Sequence, residues 1–523
     1  MSQAPAEATP EPPGDDLAAL AKGGRTNFFG FVLRLVARLP FLFIAGHYYG
    51  AEILGRFAYA TLVIELAAQL ATMGLKRGLA EQLTRTDKPH VCIVWDGLLA
   101  AFLASAVASA VLMIFPQAMF PGSEIHGADW LLPLVIFGIA GADVALAALA
   151  YRHDVAATVQ VRAIVEPWTI SIAAGAMIFL SSRDGLIIAY VISIAAGFAA
   201  AMWRLVWSYG KPRGWSPNPA EILRTARRNV PLAAADAIEW GSRRLDIAIL
   251  GLFVSPAIVG IYYIAQNVAS LPQKLKTSFD PVLAPVITQK LAENDRKAVA
   301  RQVRQVGFWI IAAQAAIALA LGIPGEAIMG LFGSGQTFET GTAALVFLLA
   351  AEVVAATAVV SEAALVYVAR HRNLLISLLM LAVQALLTVG FILAIDGLPV
   401  RADRVEAWQG AAAALALMLA LGLASILKAR LLRRVLGAPV LGWRWSLGWA
   451  TAAAAVTGFL VLQLPEWLQL AAGVPAILAA FGVTVWYRSF TEEDRALFRA
   501  TGGEAPTLPP PGSGTSGVGP STP

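Results

Sequence analysis

Residues 27–75, NFFGFVLRLVARLPFLFIAGHYYGAEILGRFAYATLVIELAAQLATMGL, decide the fold. Two apolar runs meet at a short turn around His47–Glu52. The first run carries Arg34 and Arg38, four residues apart and therefore on one face of a helix. Arg38 falls near the middle of its run. A guanidinium at that depth costs a few kcal/mol at least, and it normally faces protein or water rather than lipid. The expectation is a cavity whose floor holds something anionic.

The same texture extends through the chain. Of its 523 residues, 58% are hydrophobic and 14% are charged, and mean hydropathy is +0.67. Soluble domains carry roughly 25% charged residues. The fold class is therefore all-α, a polytopic membrane protein. A span needs about 20 mostly apolar residues. Candidate spans fall at 27–49, 53–75, 91–115, 130–151, 161–181, 185–207, 229–253, 256–275, 306–332, 342–369, 373–395, 406–428, 445–463 and 466–487. That makes about 14, within a range of 12–14. The seventh and eighth are the least apolar, and the last two could form one broken hairpin. Residues 1–26 are rich in Pro, Ala and acids, and 491–523 in Pro, Gly and Ser, so both are expected to be disordered cytoplasmic tails. Neither is built like a signal peptide. The single Cys92 excludes an internal disulfide and a cysteine metal cluster.

Charge placement orients the spans. With the N-terminus in the cytoplasm, the outer loops hold only Arg183, Arg401 and Arg404, and the spans hold Arg34, Arg38, Arg56, Arg243 and Arg244. The remaining Lys and Arg, among them Lys76, Arg77, Arg228, Arg296, Lys428 and Arg434, fall on the cytoplasmic side or at the cytoplasmic ends of spans, and both termini are expected in the cytoplasm. The polar segment Thr288–Gln305 has a helical pattern that suits a helix lying along anionic headgroups.

The chain also repeats itself. At a constant offset of 205, Gly46 matches Gly251, Gly55 matches Gly260, Phe57 matches Tyr262, Ala60 matches Ala265 and Arg38 matches Arg243. Arg152-His153 and Arg370-His371 both end a span, at an offset of 218. The expected organisation is two pseudo-symmetric six-helix lobes, 27–207 and 229–428, joined by a cytoplasmic linker, 208–228, and followed by two extra helices in 429–490. Parallel repeats of this kind place a substrate site between the copies near the midplane.

Arg38 and Arg243, with Arg34 and Arg244 beside them, are the first candidates for substrate contact, and Arg56 is a further one. Arginine presents a planar fork of donors that suits phosphate or carboxylate oxygens. The competing reading is structural: Glu239 and Arg243 are spaced to pair on one helix face, and Asp236 and Asp246 lie close by in sequence. Glu65, Asp96, Asp143, Glu166, Asp236, Glu239, Asp246, Glu352 and Glu362 fall inside spans, each facing protein or water. Of these, Asp143 and Asp236 are the better candidates for coupling a proton or sodium ion. The five histidines make no metal spacing, no Gly-rich phosphate loop is present, and the outer loops are short, so catalysis, metal and cofactor are not expected. Nothing suggests a nucleic-acid partner.

The opening hairpin, with Gly46, Gly55, Phe57 and Ala60 followed by GLKRGLAEQLTR at Gly74–Arg85, resembles the polysaccharide biosynthesis flippases of the multidrug/oligosaccharidyl-lipid/polysaccharide exporter superfamily. The run SFDPVLAPVITQKLAEND at Ser278–Asp295 is similar in style. The resemblance implies two lobes forming a V, and export of an undecaprenyl-pyrophosphate-linked oligosaccharide across the cell inner membrane by alternating access, for lipopolysaccharide or exopolysaccharide. It implies a cationic central cavity, a role that Arg34, Arg38, Arg243 and Arg244 would fill, and work alongside polysaccharide polymerase and export machinery. A cation-coupled drug antiporter of the same fold is the alternative, weakened because the first helix carries arginines and no acid. A polymerase or ligase of lipid-linked sugars is the third reading.

Overall fold

Gly50 breaks the first helical run: its φ of +82° lies where glycine alone is comfortable, and it separates the helix at 39–49 from the next, Gly50–Ala71. The computed structural model describes residues 39–85, 88–212, 214–242, 244–277, 287, 290, 291, 293, 295–333, 337–397, 399 and 401–490. Among them every regular element is helical, as it must be where no water is at hand to satisfy a backbone group and no closed barrel is formed.

In chain order the helices are α1 (39–49), α2 (Gly50–Ala71), α3 (Leu75–Arg85), α4 (His90–Ile114), α5 (Leu132–Tyr151), α6 (155–177), α7 (Gly185–Tyr209), α8 (Pro219–Ser242), α9 (Leu245–Phe253), α10 (Pro256–Thr277), α11 (Arg296–Gly322), α12 (Thr342–Val368), α13 (Arg370–Asp396), α14 (Ala402–Leu436), α15 (Ser446–Val461) and α16 (466–488). Nine helical runs among the described residues are long and apolar enough to cross a membrane. Other expected spans are helical but shorter or interrupted. The fifth is divided by a π-helical stretch, Gln160–Val165, the seventh is split between α8 and α9, and α15 has 16 residues.

Two differences from the expected boundaries have local causes. The second half of the linker, 219–228, runs without a break into the seventh span, because α8 is continuous from Pro219 to Ser242 with Pro231 inside it. Residues 296–305 do not lie along a surface as a separate helix. Asp295 caps α11 by accepting from the Ala298 amide at 2.9 Å, and the helix then continues to Gly322.

The matched residues of the repeat meet in space. A Cβ on Gly55 would collide with the Pro256 carbonyl, and a Cβ on Gly260 would collide with the Ala51 carbonyl. A Cβ on Gly46 would collide with the Phe332 carbonyl and press on Ile264, and one on Gly251 would collide with Tyr59. Under the offset of 205, the contacts Gly55–Pro256 and Gly46–Ile264 map onto Gly260–Ala51 and Gly251–Tyr59 with the partners exchanged. α2 and α10 therefore cross at an axis of approximate twofold exchange, with glycine removing the side chains that would hold their backbones apart.

Two apolar clusters complete the packing. One joins α1–α7 to α10 and the first half of α12. The other joins α11, the second half of α12, α14, α15 and α16, where Phe308 and Ile311 meet Ala450, Ala454 and Phe481. Aliphatic and aromatic side chains elsewhere, such as Phe179 and Trp207, remain on the outer surface, as lipid-facing positions require.

Candidate functional site

A cavity of about 310 Å³ opens among α1, α2, α3, α5, α6, α7 and α10. Glu65, Lys76, Asp143, Arg162, Glu166 and Tyr190 line it, and Tyr263 reaches it from α10. At its centre is Arg162, on the π-helical stretch of α6. Such stretches re-aim side chains and recur at functional sites. Pro167, one residue after Glu166, removes a further backbone donor there.

Arg162 is held from two sides. One nitrogen donates to the Asp143 carboxylate on α5, and the other donates to Glu166 Oε1 at 2.7 Å, one turn along its own helix. Lys76 Nζ lies 4.0 Å from the other Asp143 oxygen. The Ser193 hydroxyl donates to the Glu166 carbonyl at 2.8 Å, and Gly197 leaves room for the Glu166 side chain. On the far wall, Glu65 lies 3.8 Å from Arg244, at the break between α8 and α9. Three carboxylates, Glu65, Asp143 and Glu166, and two cations, Lys76 and Arg162, thus line the cavity, while Arg244 pairs with Glu65 from outside the lining. Pairing each acid with a cation avoids the cost of a bare ion away from water.

The residues expected to line a cavity separate in the structure. Arg34, Arg38 and Arg243 lie outside the described residues. Arg244 is not among the lining residues and reaches the cavity only through its pair with Glu65. Arg56 is elsewhere: it donates to Asp129 and to the Glu124 carbonyl and lies 4.4 Å from the centre of the Phe120 ring, tying α2 to the segment before α5. Asp143 is in the cavity, with Arg162 as its partner. Asp236 is not in the cavity wall; it is buried and pairs with Arg77 on α3 at 2.9 Å. Other acids inside the spans have partners too. Asp96 accepts from the Trp215 indole at 2.9 Å, Asp246 from Tyr262 at 2.7 Å, and Glu362 from Lys428 at 3.0 Å.

Arg162 and Lys76 are the candidate residues that composition misses, since Arg162 falls at the edge of the fifth expected span and Lys76 just past the end of the second. The four-residue spacing of Arg162 and Glu166 is the signal that was available. Among the described residues, no group of three or more His, Cys, Asp or Glu side chains is placed to hold a metal ion.

The family model for polysaccharide biosynthesis proteins matches residues 50–322, just over half of the chain. No curated protein matches it. Solved transporters share its fold. The lipid II flippase MurJ in an inward closed conformation aligns with a TM-score of 0.65 at 11% identity, covering 88% of this chain and 98% of its own. An inward-facing multidrug resistance MATE family transporter of the MOP superfamily aligns with a TM-score of 0.61 at 14% identity, over 77% and 94%. A MOP superfamily transporter from Pyrococcus furiosus, described by the reverse polarity of its binding pocket, aligns with a TM-score of 0.53 at 14% identity, over 80% and 95%.

Proposed function

This chain belongs to the polysaccharide biosynthesis protein family, and from that premise we propose that it is a flippase. Its cargo is an undecaprenyl-pyrophosphate-linked oligosaccharide destined for surface polysaccharide. It carries the cargo across the cell inner membrane by alternating access between two six-helix lobes, in a chain of fourteen spans with both termini in the cytoplasm. The fold it shares with flippases and exporters supports a transporter rather than an enzyme.

The observation that carries the reading is the Arg162 guanidinium, shared by Asp143 and Glu166 inside a cavity among spanning helices. Guanidinium binds phosphate and carboxylate oxygens with the same fork. A pyrophosphate entering the cavity competes with the carboxylates for Arg162 and Lys76. Arg38, Arg243, Arg34 and Arg244, named from the sequence, are the further groups proposed to meet the anionic end of the cargo. The volume of about 310 Å³ is at the lower end of ordinary ligand sites. It admits a headgroup and not a whole oligosaccharide.

The test is where the lipid-linked oligosaccharide resides when the protein is lost. In a deletion strain it accumulates facing the cytoplasm, protected in spheroplasts from a membrane-impermeant sugar oxidant and accessible in inside-out vesicles. An unchanged sidedness with normal surface polysaccharide overturns the proposal. The second reading is a cation-coupled antiporter using Asp143 and Asp236; the cavity's carboxylates favour it at Asp143, whereas Asp236 lies outside the cavity wall. It predicts altered drug tolerance with normal polysaccharide.

A further inference from the structure

Four ion pairs join α8 and the start of α9 to the α2–α4 segment, and their register is antiparallel. Arg244 lies 3.8 Å from Glu65, Asp236 2.9 Å from Arg77 and Arg228 2.7 Å from Glu81, and Glu221 accepts from Lys88. Signs alternate along both strands of this ladder. On the first half of the chain they run Glu65, Arg77, Glu81, Lys88; on the second, Arg244, Asp236, Arg228, Glu221. On α8 the charges fall seven and eight residues apart, close to two helical turns, so they form one stripe. Between the rungs the backbones are close. A Cβ on Gly74 would lie 2.7 Å from the Ala233 nitrogen, and one on Gly78 would lie 2.8 Å from Asn229 Oδ1.

We propose that this ladder is an ionic latch between the two halves of the chain, closing the end of the bundle where Lys and Arg concentrate and opening when that end admits cargo. The chemistry suits a contact that must break and reform. Exposed ion pairs are individually weak, and Arg77, Arg228, Glu81, Lys88 and Glu221 are each about half exposed on their side chains. Alternating signs fix the register, because a slip of one rung sets Arg77 against Arg228 and Glu81 against Asp236 or Glu221, which repel. The hydrogen bond to Glu221 raises the Lys88 ammonium above its ordinary pKa, so that rung stays charged at neutral pH. The innermost rung is part of the cavity wall, since Glu65 belongs to both. The latch does not depend on which cargo is carried.

The experiment uses the full-length protein in inside-out vesicles, with Cys92→Ala and a single reporter, Thr61→Cys, in the cavity wall. The rate of labelling by a membrane-impermeant maleimide reads how open this end is. Glu81→Arg raises that rate roughly three- to tenfold, the scale of losing one such pair and gaining a repulsion. Adding Arg228→Glu returns it to the parental value. Lys88→Glu, alone and with Glu221→Lys, repeats the measurement on a rung exposed on both sides, which protects the test against a swap that fails to fold. Rates unchanged by both single reversals, or left raised in both double swaps, overturn the latch. Because labelling and not polysaccharide is read, failure of the latch is distinct from failure of the proposed cargo.

Discussion

A methyl group placed on Gly260 would lie 2.8 Å from the backbone nitrogen of Gly55, and one placed on Gly55 would lie 2.6 Å from the backbone nitrogen of Gly260. The two positions are equivalent in the internal repeat, so one substitution type probes both sides of the crossing. Neither neighbour is a flexible side chain that could swing away. Gly55→Ala and Gly260→Ala are each expected to lower stability by about 1–3 kcal/mol, the scale of overpacking, seen as a lower unfolding midpoint in detergent. Gly482→Ala, on α16 with nothing within 4 Å, is expected to be neutral or slightly stabilising.

Arg56 makes a different prediction from the arginines of the cavity. Its partners, Asp129 and the Glu124 carbonyl, belong to the segment that leads into α5. Arg56→Ala removes a charge-assisted hydrogen bond worth about 2 kcal/mol. Proteolysis should then cut residues 115–131 faster, while labelling of a cysteine in the cavity stays unchanged. Slower export with unchanged proteolysis would instead return Arg56 to the transport path.

These contrasts mark what the sequence makes legible. Apolar runs and the offset of 205 point to an all-helical duplicated membrane protein, because both are properties of composition along one dimension. They pair Gly55 with Gly260 as equivalents but do not say that the two touch, which depends on how the halves dock. Asp143 is recognisable as an acid deep in a span. Its partner Arg162 is not, because apolarity sets it at the edge of the fifth span, and a π-helical stretch followed by Pro167 is needed to aim it inward. Charges on α3 and α8 look like ordinary cytoplasmic decoration until their antiparallel register is seen.

Arg38 and Arg243, matched by the repeat, carry a prediction from sequence. Arg38→Ala and Arg243→Ala each impair export while the protein remains in the membrane, measured as surface polysaccharide against membrane-fraction protein. Lysine at either position restores export in part, since ammonium keeps the charge but lacks the fork. Normal polysaccharide in the double alanine variant removes both from the path.

Arg162 separates the flippase from the antiporter. Its side chain is 21% exposed, and its two acids are 8% and 15% exposed. Arg162→Gln leaves both carboxylates without their guanidinium, a loss of about 3 kcal/mol for a mostly buried pair, and removes the group that exchanges carboxylate for phosphate. Adding Asp143→Asn relieves the stranded charge, so the double variant is more stable than Arg162→Gln alone. The two readings part at function. If Arg162 meets an anionic headgroup, the double variant regains its unfolding midpoint but not its export. If Arg162 only neutralises the acids, export returns together with stability. If Asp143 couples a cation, Asp143→Asn alone abolishes transport and steepens no dependence on the anionic group of the cargo. Unfolding midpoints and export measured on the same three variants distinguish these outcomes.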